Sequence, residues 1–162
     1  KEGKSPVYYG GGTELISMAR VGNLSFGAAV DIKSIPECNV LDFDTNNLYL
    51  GGTLTLSAIK ESNYFPLLGK TVGRIADHTI QDKITFGGNL ASTMIYRETV
   101  LPLLLTNARV TVAGKNGLTE LEIGQVFKER LMLQKGDFLV KATISKEFLK
   151  APFFHIKKTK KP

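Results

Sequence analysis

Thr85-Phe86-Gly87-Gly88-Asn89-Leu90-Ala91 and Tyr9-Gly10-Gly11-Gly12-Thr13-Glu14-Leu15 are two glycine-rich loops in one chain of 162 residues. The first sits where a strand-like stretch hands over to a helix-like one. Without Cβ atoms such a loop exposes backbone N–H groups and lets a ligand approach. Two of them predict a clamp on one long anionic ligand, with an open groove between Gly10–Glu14 and Thr85–Asn89. Val7-Tyr8-Tyr9 reads as a strand that Gly10-Gly11-Gly12 turns. Thr13 is the expected cap of the following helix, with Glu14 complementing its dipole. Leu15, Met18 and Ala19 recur at helical spacing and predict its inner face.

Farther along, 28–32 reads as a strand, and 40–43 and 48–50 flank a turn at Asn46-Asn47. A small parallel or mixed α/β lobe over 1–52 is expected. Residues 54–60 and the stretch opened by Pro66 predict helices, the latter burying Leu67, Leu68, Val72, Ile75 and Ala76. Residues 101–105 predict a buried helix. Lys115-Asn116-Gly117 signals a type I′ hairpin between strands at 109–113 and 118–123. A helical turn is expected at 123–127 and a last strand over 138–144. The fold class is α+β: the small lobe, then a second lobe over 53–150 with an antiparallel sheet and helices.

Composition narrows the function. Apolar residues make up 43% and charged residues 22%, ordinary for a globular protein. No apolar run approaches the roughly 20 residues of a bilayer span. Cys38 is the single cysteine, which excludes an internal disulfide and a protein-held iron–sulfur cluster of about four ligands. His78 and His155 form no zinc pattern. A cytoplasmic location is the default, with neither membrane nor nucleic acid as partner. Part of the net charge of +6 lies in Lys157-Lys158-Thr159-Lys160-Lys161, a solvated tail. Gly10-x-Gly12-x-x-Leu15 lacks the third glycine of a dinucleotide fingerprint. Leu68-Gly69-Lys70-Thr71 has Tyr64 where a P-loop needs glycine, and reads as helix surface.

An ordered series of segments sharpens the reading: Gly11-Gly12-Thr13-Glu14-Leu15, Val30-Asp31-Ile32, Ile35-Pro36-Glu37, Leu50-Gly51-Gly52-Thr53-Leu54-Thr55-Leu56 and Ile80 to Ala91. The chain resembles the FAD-binding domain, of the PCMH type, of the flavin subunit of molybdenum hydroxylases, the family of xanthine dehydrogenase and carbon monoxide dehydrogenase. The resemblance implies FAD between the two lobes. It places the pyrophosphate on Tyr9, Gly10, Gly11, Gly12, Thr13 and Glu14. Thr85, Gly87, Gly88 and Asn89 would approach from the other lobe. The family's acid near the adenosine falls on Glu98, and Leu139 or Val140 would lie along the flavin ring. Ser92 to Glu98 departs from the usual pattern, which carries a Pro and an Asp.

The resemblance also implies an oxidoreductase subunit with no catalytic acid or base of its own. It would work beside a two-iron iron–sulfur subunit and a molybdenum-cofactor subunit, with NAD⁺ as the common electron acceptor. Lys1 is not a Met, and 151–162 resembles the start of a further C-terminal domain, so a partial chain that holds FAD loosely is expected. Two other classes share these loops: a stand-alone flavin oxidoreductase of this fold, and a non-catalytic flavin-domain scaffold.

Overall fold

The computed structural model describes residues 5–158. Strand β1 (Val7–Tyr9), helix α1 (Thr13–Arg20) and strand β2 (Ala29–Asp31) form a βαβ unit. β1 and β2 pair in parallel, Val7 opposite Ala29 and Tyr9 opposite Asp31. β-branched and aromatic residues favour β1, and the glycines that follow end it. Two expectations fail here. Gly12, not Thr13, is the N-cap of α1, in the left-handed region at φ 70°. That backbone region suits glycine. The inner face of α1 is also shallow: Leu15 and Met18 are half-buried, Ala19 is exposed, and no residue of the helix is fully buried.

The second layer is a five-stranded antiparallel sheet in the order β3-β4-β9-β5-β6. Its strands are β3 (Leu41–Phe43), β4 (Asn47–Gly51), β5 (Arg109–Gly114), β6 (Gly117–Glu122) and β9 (Phe138–Ser145). β3 and β4 lie within residues 1–52 yet belong to this sheet, because β4 pairs along its whole length with β9. The hydrogen-bonded layers therefore divide before Leu41. β9 is central, and its residues Leu139, Val140, Ala142, Thr143 and Ile144 are buried on both faces. The β5–β6 turn is not type I′: the positive φ, 93°, falls on Gly117 and not on Lys115 or Asn116.

Helices α2 (Leu56–Ser62), α3 (Pro66–Val72), α4 (His78–Gln81), α5 (Phe86–Ala91), α6 (Val100–Leu105) and α7 (Ile123–Val126) surround the sheet, with a small β7–β8 pair (Phe127–Lys128, Arg130–Leu131) beyond. Leu48 and Leu50 of β4, Val110 of β5 and Ile144 of β9 share a core with Leu56, Leu68, Val72, Phe86, Leu90 and Leu103. Phe86 is fully buried in it, which stabilises by about 2–3 kcal/mol. Leu68-Gly69-Lys70-Thr71 lies within α3, as the helix reading requires, but it is not helix surface: Leu68, Gly69 and Thr71 are buried and Lys70 alone is exposed. Two further burial expectations fail. Ala76 is exposed, with a left-handed φ of 55° that ends α3's chain direction. In α6 only Val100, Pro102 and Leu103 are buried, while Leu101 is 54% and Leu105 71% exposed. One stripe of a helix against a sheet suffices to anchor it.

Candidate functional site

The two glycine loops meet at Gly10 and Gly11, so the expected open groove between them is closed at that point. A Cβ on Gly11 would overlap the carbonyl oxygen of Lys83, and one on Gly10 would lie 3.0 Å from Thr85 Oγ1. Glycine at 10 and 11 is thus required by the approach of one loop to the other. Gly12 is packed under the Tyr9 ring. Above that ring sits Lys33 Nζ, 4.5 Å from its centroid, and the same ammonium pairs with Asp31 at 2.7 Å. This pair holds the Asp31 carboxyl below the usual carboxylate range, mainly through the hydrogen bond from Lys33. Tyr8 fastens the lobes on another side: its hydroxyl donates to Gly136 O at 2.8 Å and its ring lies 4.6 Å from that of Phe138.

The loops differ in where their N–H groups go. In the second, Phe86 N–H donates to Leu54 O at 2.8 Å, Gly87 N–H to Gly52 O at 2.8 Å and Asn89 N–H to Thr85 O at 2.8 Å. Gly88 N–H donates to the capping hydroxyl of Thr85 at 3.3 Å. Thr55 caps α2 in the same way from the neighbouring position, and Thr55 and Thr85 form an isolated β-bridge. In the first loop, the N–H groups of Gly10, Gly11, Gly12, Thr13 and Glu14 donate to no group among the described residues. They gather at the N-terminus of α1, where the helix dipole adds positive potential. The first loop therefore keeps the donors an anion needs. They fit a pyrophosphate, which needs several converging N–H groups and no nearby carboxylate free to repel it.

That last condition depends on Glu14. Its carboxylate is turned away into three hydrogen bonds, from Ser92 Oγ, Thr93 N–H at 3.0 Å and Thr93 Oγ1. Glu14 thus reaches the segment after the second loop and not the loop donors. No local pattern announces this, because the partners are 78 and 79 residues away.

Asn89 is buried, and both ends of its amide are engaged: Nδ2 donates to Tyr96 O at 2.7 Å, and Oδ1 accepts from Thr99 Oγ1 at 2.6 Å. It braces the segment 92–99. Glu98 pairs through Oε1 with Lys157 Nζ at 2.7 Å, and Lys157 also donates to Arg74 O. Glu98 Oε2 is buried with no partner. Leu139 and Val140 point into buried surroundings, Leu139 within the main core, and the carbonyl of Val140 accepts from Gly52 N–H at 2.7 Å. So Tyr9 to Glu14 and Thr85 to Gly88 come together, Asn89 stands behind them, and Glu98, Leu139 and Val140 are engaged elsewhere. Gly52 acquires a role that spacing alone does not reveal. A Cβ on Gly87 would lie 2.8 Å from Gly52 O, and one on Gly52 2.6 Å from Leu139 O. These glycines let α5 sit directly on the sheet.

Among the described residues no cluster of three or more His, Cys, Asp or Glu could hold a metal, and no helix is long and apolar enough to cross a membrane. Cys38 is buried, and burial raises its thiol pKa.

The fold is shared with a solved oxidoreductase and a solved dehydrogenase. Quinoline 2-oxidoreductase from Pseudomonas putida 86 superposes with a TM-score of 0.77 at 21% identity, over 86% of this chain and 51% of that one. Carbon monoxide dehydrogenase from Oligotropha carboxidovorans gives 0.79 at 18% identity, again over 86% and 51%. In sequence, the FAD subunit of nicotinate dehydrogenase from Eubacterium barkeri is 21% identical over 150 residues, 87% of this chain and 51% of that protein. The chain thus spans about half the length of these relatives. Residues 1–145 match the family described as the FAD binding domain in molybdopterin dehydrogenase, and the chain belongs to that family.

Proposed function

We propose that this chain carries FAD in the flavin subunit of a molybdenum hydroxylase and passes electrons through it. One observation supports this reading above the others: the unpaired N–H groups of Gly10 to Glu14 at the start of α1. They would hold the pyrophosphate, with Tyr9 fixing Gly12 and Lys33 adding positive charge nearby. Thr85, Gly87 and Gly88 would form the opposite wall, Gly88 being the exposed member of that loop. Asn89 would shape this wall from behind. The free Oε2 of Glu98 would accept from the adenosine end, and the β9 backbone at Leu139 and Val140 would support the flavin side.

FAD, when bound, supplies the redox chemistry, accepting and releasing electrons singly or as a hydride. The protein's part is to bind it, orient it and keep water from its reactive face. Electrons would come from a two-iron iron–sulfur subunit fed by a molybdenum-cofactor subunit, because this chain holds one cysteine. NAD⁺ is the proposed acceptor, in a soluble cytoplasmic complex.

Titration with FAD and with FMN, followed by flavin fluorescence, tests the site. FAD is expected to bind at least about tenfold tighter, since its pyrophosphate and adenosine add contacts that FMN lacks. Equal affinities would overturn the assignment. A second reading, a non-catalytic flavin-domain scaffold, is favoured by the internally saturated second loop. A protein that takes up neither flavin would support it.

A further inference from the structure

We infer that Glu14 is a positioning residue, a latch between the lobes that sets the distance of the first loop's free N–H groups from the second loop. The inference rests on the FAD reading above. Glu14 is the second residue of α1, directly after the loop donors. Its carboxylate accepts from Ser92 Oγ, Thr93 N–H and Thr93 Oγ1, so both oxygens are engaged. Ser92 is buried, and its hydroxyl also accepts from Met94 N–H at 3.0 Å, which fixes the turn on the far side. From there the segment runs to Tyr96 and Thr99, the two partners of Asn89. Hydrogen bonds at both ends of segment 92–99 therefore join the start of α1 to Asn89 of the second glycine loop.

Physical necessity points the same way. α1 has no fully buried residue, so packing alone holds the first lobe weakly. A charge-assisted hydrogen bond is stronger than a neutral one. Three of them on one carboxylate define the position of α1 where the apolar contacts do not. They also draw a negative charge away from the N–H groups that an anion would approach. A carboxylate left free at this position would repel phosphate.

The test is a double-mutant cycle on the whole chain, with Glu14→Ala, Glu14→Gln, the pair Ser92→Ala and Thr93→Val, and their combination. FAD affinity and amide hydrogen exchange at Thr93 are both read. Glu14→Ala is expected to weaken FAD binding about tenfold and to remove exchange protection at Thr93, since charged hydrogen bonds of this kind are lost. Glu14→Gln should recover part of both effects, because its amide oxygen still accepts. In the Ser92→Ala, Thr93→Val background, Glu14→Ala should cost nothing further in affinity.

Additive losses would overturn the inference, because Glu14 would then act on the ligand directly. So would an unprotected Thr93 amide in the wild-type protein, or an unchanged affinity in Glu14→Ala. Should Glu14→Ala fail to fold, the Gln variant and the Ser92, Thr93 pair carry the same comparison. A wild-type chain that binds no FAD would sink the flavin reading alone, and the exchange measurement would still decide the latch.

Discussion

The first and second glycine loops look alike in sequence and differ in what their backbones do. From Phe86 to Asn89 every N–H is already bonded, to Leu54, Gly52 and Thr85. From Gly10 to Glu14 none is bonded among the described residues. A loop that spends its donors internally is a rigid wall. A loop that keeps them has donors to offer a ligand. Glycine serves close packing in both, against Lys83 in one and Gly52 in the other. A Gly-Gly pair thus reports close approach of the backbone, and only the hydrogen-bond inventory says whether the neighbour is a ligand or the protein itself.

The contact between the loops is the part of this comparison most easily broken. Gly11→Ala would drive a methyl group into the Lys83 carbonyl, and backbone cannot yield as a side-chain end can. We expect a loss of about 3 kcal/mol in stability, from overpacking against fixed backbone. Gly124→Ala is the matched control, since a Cβ there meets nothing within 4 Å. Denaturant unfolding of the two variants measures the difference. If Gly11→Ala is as stable as Gly124→Ala, the loops do not touch in solution.

The wall-like character of the second loop is sharpened by Asn89→Ala. The substitution strands the Thr99 hydroxyl and the Tyr96 carbonyl, which both lose their partner. A cost of about 2 kcal/mol in stability is expected for two part-buried hydrogen bonds. FAD affinity should fall by less than this. The reverse pattern, intact stability with much weaker FAD binding, would make the second loop a ligand-contacting surface, as proposed for the first.

The smallest expected effect concerns the charge beside the first loop. Asp31 has its pKa lowered in the folded chain by Lys33. A depressed carboxyl stabilises the folded state above the ordinary aspartate value of about 4, and that contribution is lost as pH falls below it. Asp31 is fully exposed, so the effect is a slight steepening of acid unfolding. Asp31→Asn should remove that steepening and lower stability slightly at neutral pH, where the ionised carboxylate is paired with Lys33. An unchanged acid limb would mean that the Asp31–Lys33 pair contributes nothing.

Much was legible before any coordinates. Glycine runs and the hairpin at 115–117 act over a few residues, so local sequence determines them, whereas the caps Thr55, Asp77 and Thr85 emerged only from the structure. The ordered series of segments from Gly11 to Ala91 identified the family for the same reason: each is a short motif at a set spacing. Tertiary structure alone decided the rest. β3 and β4 look like part of the first lobe, yet β9, far along the chain, offers the edge to which β4 bonds, and β3 follows β4 into the sheet. Leu101 and Leu105 read as buried because apolarity marks a candidate face without saying which stripe the sheet covers. Glu14 reads as a ligand or dipole residue because its partners, Ser92 and Thr93, lie 78 and 79 positions away. Hydrogen bonds between distant segments are satisfied only once the chain has folded, so no periodicity or spacing encodes which donors remain free.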